Sequence, residues 1–241
     1  MNAEAREVLP GWIALLVVAA LAWRRTLADA AMMGDAPGTM GMPLVPFLVM
    51  WVPMMAAMML PAITPAGTLW AKSIVRKGTA IGRLARLLTF AAGYLVVWSA
   101  AGLLAFALAR PVEQALEAGL FSGRIVAASV FALAGAYQLS PLREACLANC
   151  TSPMAFLGVA TSGPAALRDL RAGALHGAWC LGCCWALMAV LTLVGLMNVA
   201  AMVVLAVFIF IEKTTRFGVP AGRVAGVLMI AAAVATLAVG A

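Results

Sequence analysis

Apolar residues run through this chain in long stretches separated by short polar ones, near 8–23, 44–70, 87–109, 125–139, 172–194, 197–211 and 222–240. A helix needs roughly 20 such residues to cross a hydrocarbon core of about 30 Å. The pattern therefore predicts an all-α fold, a polytopic transmembrane helical bundle of about seven spans in one integral membrane domain over residues 1–241. The joint between the fifth and sixth runs decides between seven and six. Ala172 to Ile211 carries no charge, and its turn signals are Gly195 and Asn198. Forty residues at about 1.5 Å each would reach about 60 Å, twice the core, so a tight hairpin near Gly195–Asn198 is expected, with a short sixth helix after it. Pro53, Pro61 and Pro65 should kink or break the second run.

Composition agrees with the pattern. Residues are 65% hydrophobic and only 10% charged, against roughly 25% charged in a globular domain. The charges fix the orientation. With seven spans and the amino terminus inside, inner segments hold twelve basic residues: Arg6, Lys72, Arg76, Lys77, Arg83, Arg86, Arg143, Arg168, Arg171, Lys213, Arg216 and Arg223. Outer segments hold four: Arg24, Arg25, Arg110 and Arg124. Merging the last hairpin would weaken twelve against four to nine against seven. The net charge of +7 is thus a topology signal, with anionic lipid as its natural contact. No basic stripe interleaved with aromatics points to nucleic acid. Ala28-Asp29-Ala30 resembles a signal-peptide cleavage site, but Arg24 and Arg25 precede it and the amino-terminal region is not basic, so the first helix is expected to be retained.

The candidate chemistry is sulfur. Cys180-Leu181-Gly182-Cys183-Cys184 puts three thiols in five residues, one turn after His176, the only histidine. At 100° per residue these four fall within about 100° of arc, on one helix face. Met54/Met58 and Met55/Met59 are i,i+4 pairs forming two adjacent thioether stripes on the second run. Cys146 and Cys150, also i,i+4, are expected in the inner loop after the fourth. With Met32, Met33, Met40 and Met42 in the first outer loop, sulfur makes a trail from outside to inside. Thioether and thiolate select soft ions, Cu(I) above all, which accepts two or three sulfurs.

Geometry narrows the choice. His176 and Cys184 are about 12 Å apart along a helix, so one ion cannot take both. A closed zinc site from the four residues on one helix is disfavoured, and zinc would need ligands from elsewhere. Cu(I) between Cys180 and Cys183 or Cys184, completed by a methionine, strains nothing. The competing reading is inert packing: Met fills irregular cores, buried Cys behaves as a small hydrophobe, and a lone histidine is often a core residue. Glu212-Lys213 reads as an interface pair, and Tyr94, Trp98, Tyr137 and Gln138 as polar glue between helices.

Three ordered segments carry a resemblance. Pro53-Met54-Met55-Ala56-Ala57-Met58-Met59-Leu60-Pro61 is the first. Tyr137-Gln138-Leu139-Ser140-Pro141-Leu142, followed by Cys146, Cys150 and Ser152-Pro153, is the second. Cys180-Leu181-Gly182-Cys183-Cys184-Trp185-Ala186-Leu187-Met188, leading to Met197-Asn198 and Glu212-Lys213, is the third. Together they resemble an uncharacterised bacterial family described as predicted metal-binding integral membrane proteins, over Trp51 to Lys213. The resemblance implies a bacterial inner-membrane protein that binds metal, with Met54, Met55, Met58, Met59, Cys146, Cys150, Cys180, Cys183 and Cys184 as ligands. The first outer loop and the last helix fall outside it.

Three functions remain. One is handling of a soft ion, copper first and zinc second, for transport, delivery or assembly, with a metallochaperone or membrane-complex subunit as partner. The second is a membrane thiol oxidoreductase, since Cys180 and Cys183 have C-x-x-C spacing, though the inner face keeps thiols reduced. The third is an accessory subunit whose helices only pack. Haem finds no support without C-x-x-C-H, and no P-loop, triad or carboxylate pair suggests an enzyme.

Overall fold

The computed structural model describes residues 3–34, 36–74, 79–152 and 165–239. Among them are eight helices and no strand. They are α1 (Ala3–Met33), α2 (Leu44–Ile74), α3 (Ala80–Glu117), α4 (Gly123–Gln138), α5 (Pro141–Thr151), α6 (Ala165–Val194), α7 (Val199–Thr214) and α8 (Gly218–Ala238). Of the residues used for orientation, Arg76 and Lys77 lie outside the described residues, as does Pro153 of the second motif. The same holds for the side chains of Arg6, Lys72 and Pro65.

Five helices, α1, α2, α3, α6 and α8, are long and apolar enough to cross a membrane, and α4 with α5 makes a sixth if that pair, bent by 62°, is one span. Large apolar side chains face outward along α1 and α8, among them Leu16, Val17, Leu21, Val227, Leu228 and Val234, which suits a lipid solvent. The break between α6 and α7 falls where it was expected. Gly195 turns the chain at a φ of 120°, and the Asn198 side chain accepts from the Ala201 N–H at 3.0 Å to start α7. At 16 residues α7 is short, as the hairpin required.

Two expectations are corrected. Of the kink or break expected in the second run, the break does not occur: α2 continues as one helix through Pro53, Pro61 and Pro65. A proline removes a hydrogen bond but keeps helical φ, and packed neighbours can hold the segment together. The segment carrying Cys146 and Cys150 is not a loop but helix α5. Ser140 caps it by accepting from the Arg143 N–H at 3.2 Å, and Pro141 occupies the first turn, where its missing N–H costs nothing.

Helix directions follow from who touches whom. Gly173 of α6 lies under Phe90 of α3 and Gly177 under Tyr94, so these two helices run parallel. Tyr137 meets Gly182, and Ala134 packs in one cluster with Ala186 and Val190, so α4 runs antiparallel to α6. At one end Arg86 grips Asp169 with two bonds of 2.8 and 2.9 Å, and Trp70 donates to the same carboxylate, tying α2, α3 and α6. At the other, Glu113 accepts from both the N–H and the hydroxyl of Thr39, and the Gly38 N–H donates to the Thr192 carbonyl, closing the first loop over α3 and α6.

The α3/α6 seam depends on missing side chains. A Cβ at Gly173 would lie 1.9 Å from the Phe90 carbonyl oxygen, and one at Gly93 would lie 2.1 Å from that of Leu170. Both are backbone atoms, so neither neighbour can swing aside. Gly173→Ala should therefore lower the thermal unfolding midpoint of the detergent-solubilised protein, at an overpacking cost of ~1–3 kcal/mol. An unchanged midpoint would mean that the seam has slack.

Candidate metal centre

All ten singled-out side chains are buried: His176, the five cysteines, and Met54, Met55, Met58 and Met59. The nine sulfur residues belong to one continuous core, so α2, α5 and α6 bring their sulfur into a shared interior. The trail idea changes with this. Trp51 of α2 donates to the Trp98 carbonyl of α3 at 2.8 Å, and Trp98 packs on Tyr94, which touches Cys180. Met54 and Met55, one turn past Trp51 on an antiparallel helix, thus stand near the depth of the cysteines rather than well outside them.

The cysteines of α6 are not equivalent. Cys183 and Cys184 donate their thiols to the Cys180 carbonyl at 3.1 and 2.7 Å, bonds internal to their own helix. Cys180 instead meets groups from other helices. Its Sγ accepts from Lys213 Nζ of α7 at 2.7 Å and lies 2.9 Å from the Tyr94 hydroxyl of α3. Cys184 Sγ is 3.8 Å away. Cys150, carried up by α5, is buried in the same core beside Cys180 and Cys183. Cys146 packs over Gly182, where a Cβ would meet its Sγ at 2.7 Å, and Tyr137 donates to the Gly182 carbonyl at 2.5 Å beside it. All five cysteines are free thiols.

His176 lies one turn from Cys180, its ring facing those of Phe90 and Tyr94 at centroid distances of 6.0 and 5.6 Å. It shares the cysteine face, as the helical period requires. Among the described residues no three side chains from His, Cys, Asp and Glu are disposed to close on one ion. The tetrahedral zinc arrangement is thus not preformed here, whereas two-coordinate sulfur pairs such as Cys180 with Cys150 ask for no third ligand.

Glu212 and Lys213 correct a third expectation, since they do not form an interface pair. Both are buried, and they part company: Glu212 pairs with Arg143 of α5, while Lys213 goes to Cys180. The Arg143 guanidinium lies against Gly222 of α8, where a Cβ would come within 2.4 Å of it. Tyr94 and Tyr137 do serve as glue, but onto the cysteine helix. Lys213 and Arg143 were missed as site residues. For Lys213 the sequence held one signal, a hairpin register: Cys180 and Lys213 each lie fourteen residues from the helix ends Val194 and Val199 that flank the turn.

Residues 48–236 match the family model PpoB2, described as copper chaperone. The match reaches beyond the stretch 51–213 that carried the resemblance, takes in most of α8, leaves out the α1–α2 loop, and names copper where the resemblance named only a metal. No curated protein and no solved structure matches the chain.

Proposed function

The chain belongs to the PpoB2 copper chaperone family, and we propose that it does this work within the bacterial inner membrane, as one domain that holds Cu(I) on sulfur and passes it to a metallochaperone or membrane-complex partner. Cys180 is the principal ligand. Cys150 is the second, from α5, with Cys183 and Cys184 as neighbours to which the ion can shift. Met54, Met55, Met58 and Met59 supply thioether from α2, and Cys146 is a release position. His176 shares the face as a packed ring. The amino terminus and the α2–α3 connection are on the inner side, and seven helices enter the bilayer.

One observation carries the reading. Helices far apart in sequence bring Lys213 and Tyr94 into contact with Cys180, with Cys150 buried in the same core. Inert packing calls for apolar groups there, because a buried ammonium without a compensating partner is costly. A pair of thiols with a fixed cation beside them instead suits a soft monovalent ion. The parallel course of α3 and α6 fits this topology, since it puts Arg86 and Arg168, near the starts of the two helices, on the same side.

The placement of Cys150 beside Cys180 and Cys183 would serve a thiol oxidoreductase equally well, so one measurement should separate the two. Protein purified anaerobically with reductant and supplied with Cu(I) should hold stoichiometric copper with sulfur in its first shell by X-ray absorption. Alkylation trapping from intact cells should find these thiols reduced or metal-protected. Copper-free protein with a Cys150–Cys180 disulfide during turnover would replace the chaperone reading with the redox one.

A further inference from the structure

Lys213 is a buried charge in direct contact with the principal proposed ligand. Its ammonium lies 2.7 Å from Cys180 Sγ, with Cys150, Cys183 and Tyr94 in its electrostatic surroundings. Arg143 and Glu212, also buried, are bonded to each other rather than to the thiols.

Counting charges gives this placement a meaning. Two thiolates and one Cu(I) make a complex of net −1, and the Lys213 ammonium brings the buried group to zero. A divalent ion on the same two thiolates is already neutral, so the ammonium would leave an uncompensated positive charge in an apolar interior. Uncompensated buried charge costs several kcal/mol even after relaxation. We propose that Lys213 is the built-in counter-cation of the site and sets its specificity by charge, favouring soft monovalent ions over divalent ions of equal softness. The inference rests on the copper-handling reading above. In it Lys213 is a positioning and specificity residue, never a ligand.

Ag(I) and Cd(II) test this directly, because both are thiophilic and they differ in charge. The readout is the ratio of their affinities for the full-length protein in detergent under anaerobic conditions, divided by the same ratio for dithiothreitol. The wild-type protein should exceed the small dithiol in its preference for Ag(I). Lys213→Met should lose that excess, by roughly the 10–100-fold that outer-shell partners of a metal commonly control. Lys213→Arg, which keeps the charge, should retain much of it. A wild-type ratio no larger than that of dithiothreitol would overturn the proposal without any variant being made. So would a Lys213→Met ratio equal to that of wild type. If wild type binds neither ion, the copper-handling reading itself fails, an outcome distinct from the other two.

Discussion

Cys180→Ser protein should fold, reach the membrane and lose most of its Cu(I) affinity. Serine nearly conserves the shape of the side chain and can still accept from Lys213 and Tyr94, but it replaces a soft thiolate with a hard hydroxyl. Loss of a direct ligand should exceed the roughly 10–100-fold typical of outer-shell changes. Cys150→Ser should come next, because its thiol is the one brought beside Cys180 by another helix. Cys184→Ser should cost less, since that sulfur already spends its proton on the helix carbonyl of Cys180. Met58→Leu keeps apolar volume at a packing cost usually below about 1.5 kcal/mol, so any fall in copper there measures thioether ligation rather than damage. Competition against a Cu(I) chelator, with folded yield monitored by gel filtration, gives the order. Equal affinities across the series would return all these residues to packing.

Arg143→Met should be the most damaging single change to folding. Arg143 and Glu212 side chains are 0% and 2% exposed, and removing either partner strands the other in the apolar interior. Breaking such a pair costs about 3–5 kcal/mol, whereas replacing both partners with apolar residues is often neutral. The double variant Arg143→Met/Glu212→Leu should therefore be more stable than either single variant. Thermal unfolding in detergent reads this, and single variants as stable as the parent would show the pair to be incidental. A second readout ties the pair to function. The bond joins α5 to α7, the helices that bring Cys150 and Lys213 to Cys180, so the double variant should fold yet bind Cu(I) less tightly.

The two kinds of residue at this site differ in how readable they were. His176, Cys180, Cys183 and Cys184 are close in sequence on one helix, and the helical period alone puts them on one face. Met54, Met55, Met58 and Met59 were readable for the same reason. Cys150 was found but misplaced, because Pro141-Leu142-Arg143-Glu144 looks like a polar connection until Ser140 is seen capping a helix with it. Lys213 was read as an ordinary helix-end charge, because nothing local distinguishes a lysine that snorkels to the interface from one that turns inward to a thiol.

Hydropathy and period are local properties, and they gave the all-helical fold its outline. The helices, the break at Gly195–Asn198 and the cysteine face all follow from residues within a few turns of each other. The tertiary structure decided everything that depends on which helices touch. Gly173 and Gly93 let α3 close on α6 and so bring Tyr94 to Cys180. The 62° bend after α4 carries Cys150 back under α6. The Arg143–Glu212 pair holds α5 to α7 while Lys213 enters the thiols from α7. Each of these pairs residues at least thirty positions apart, set by steric fit and by the cost of leaving a charge alone in an apolar interior. Neither quantity exists until the helices have packed.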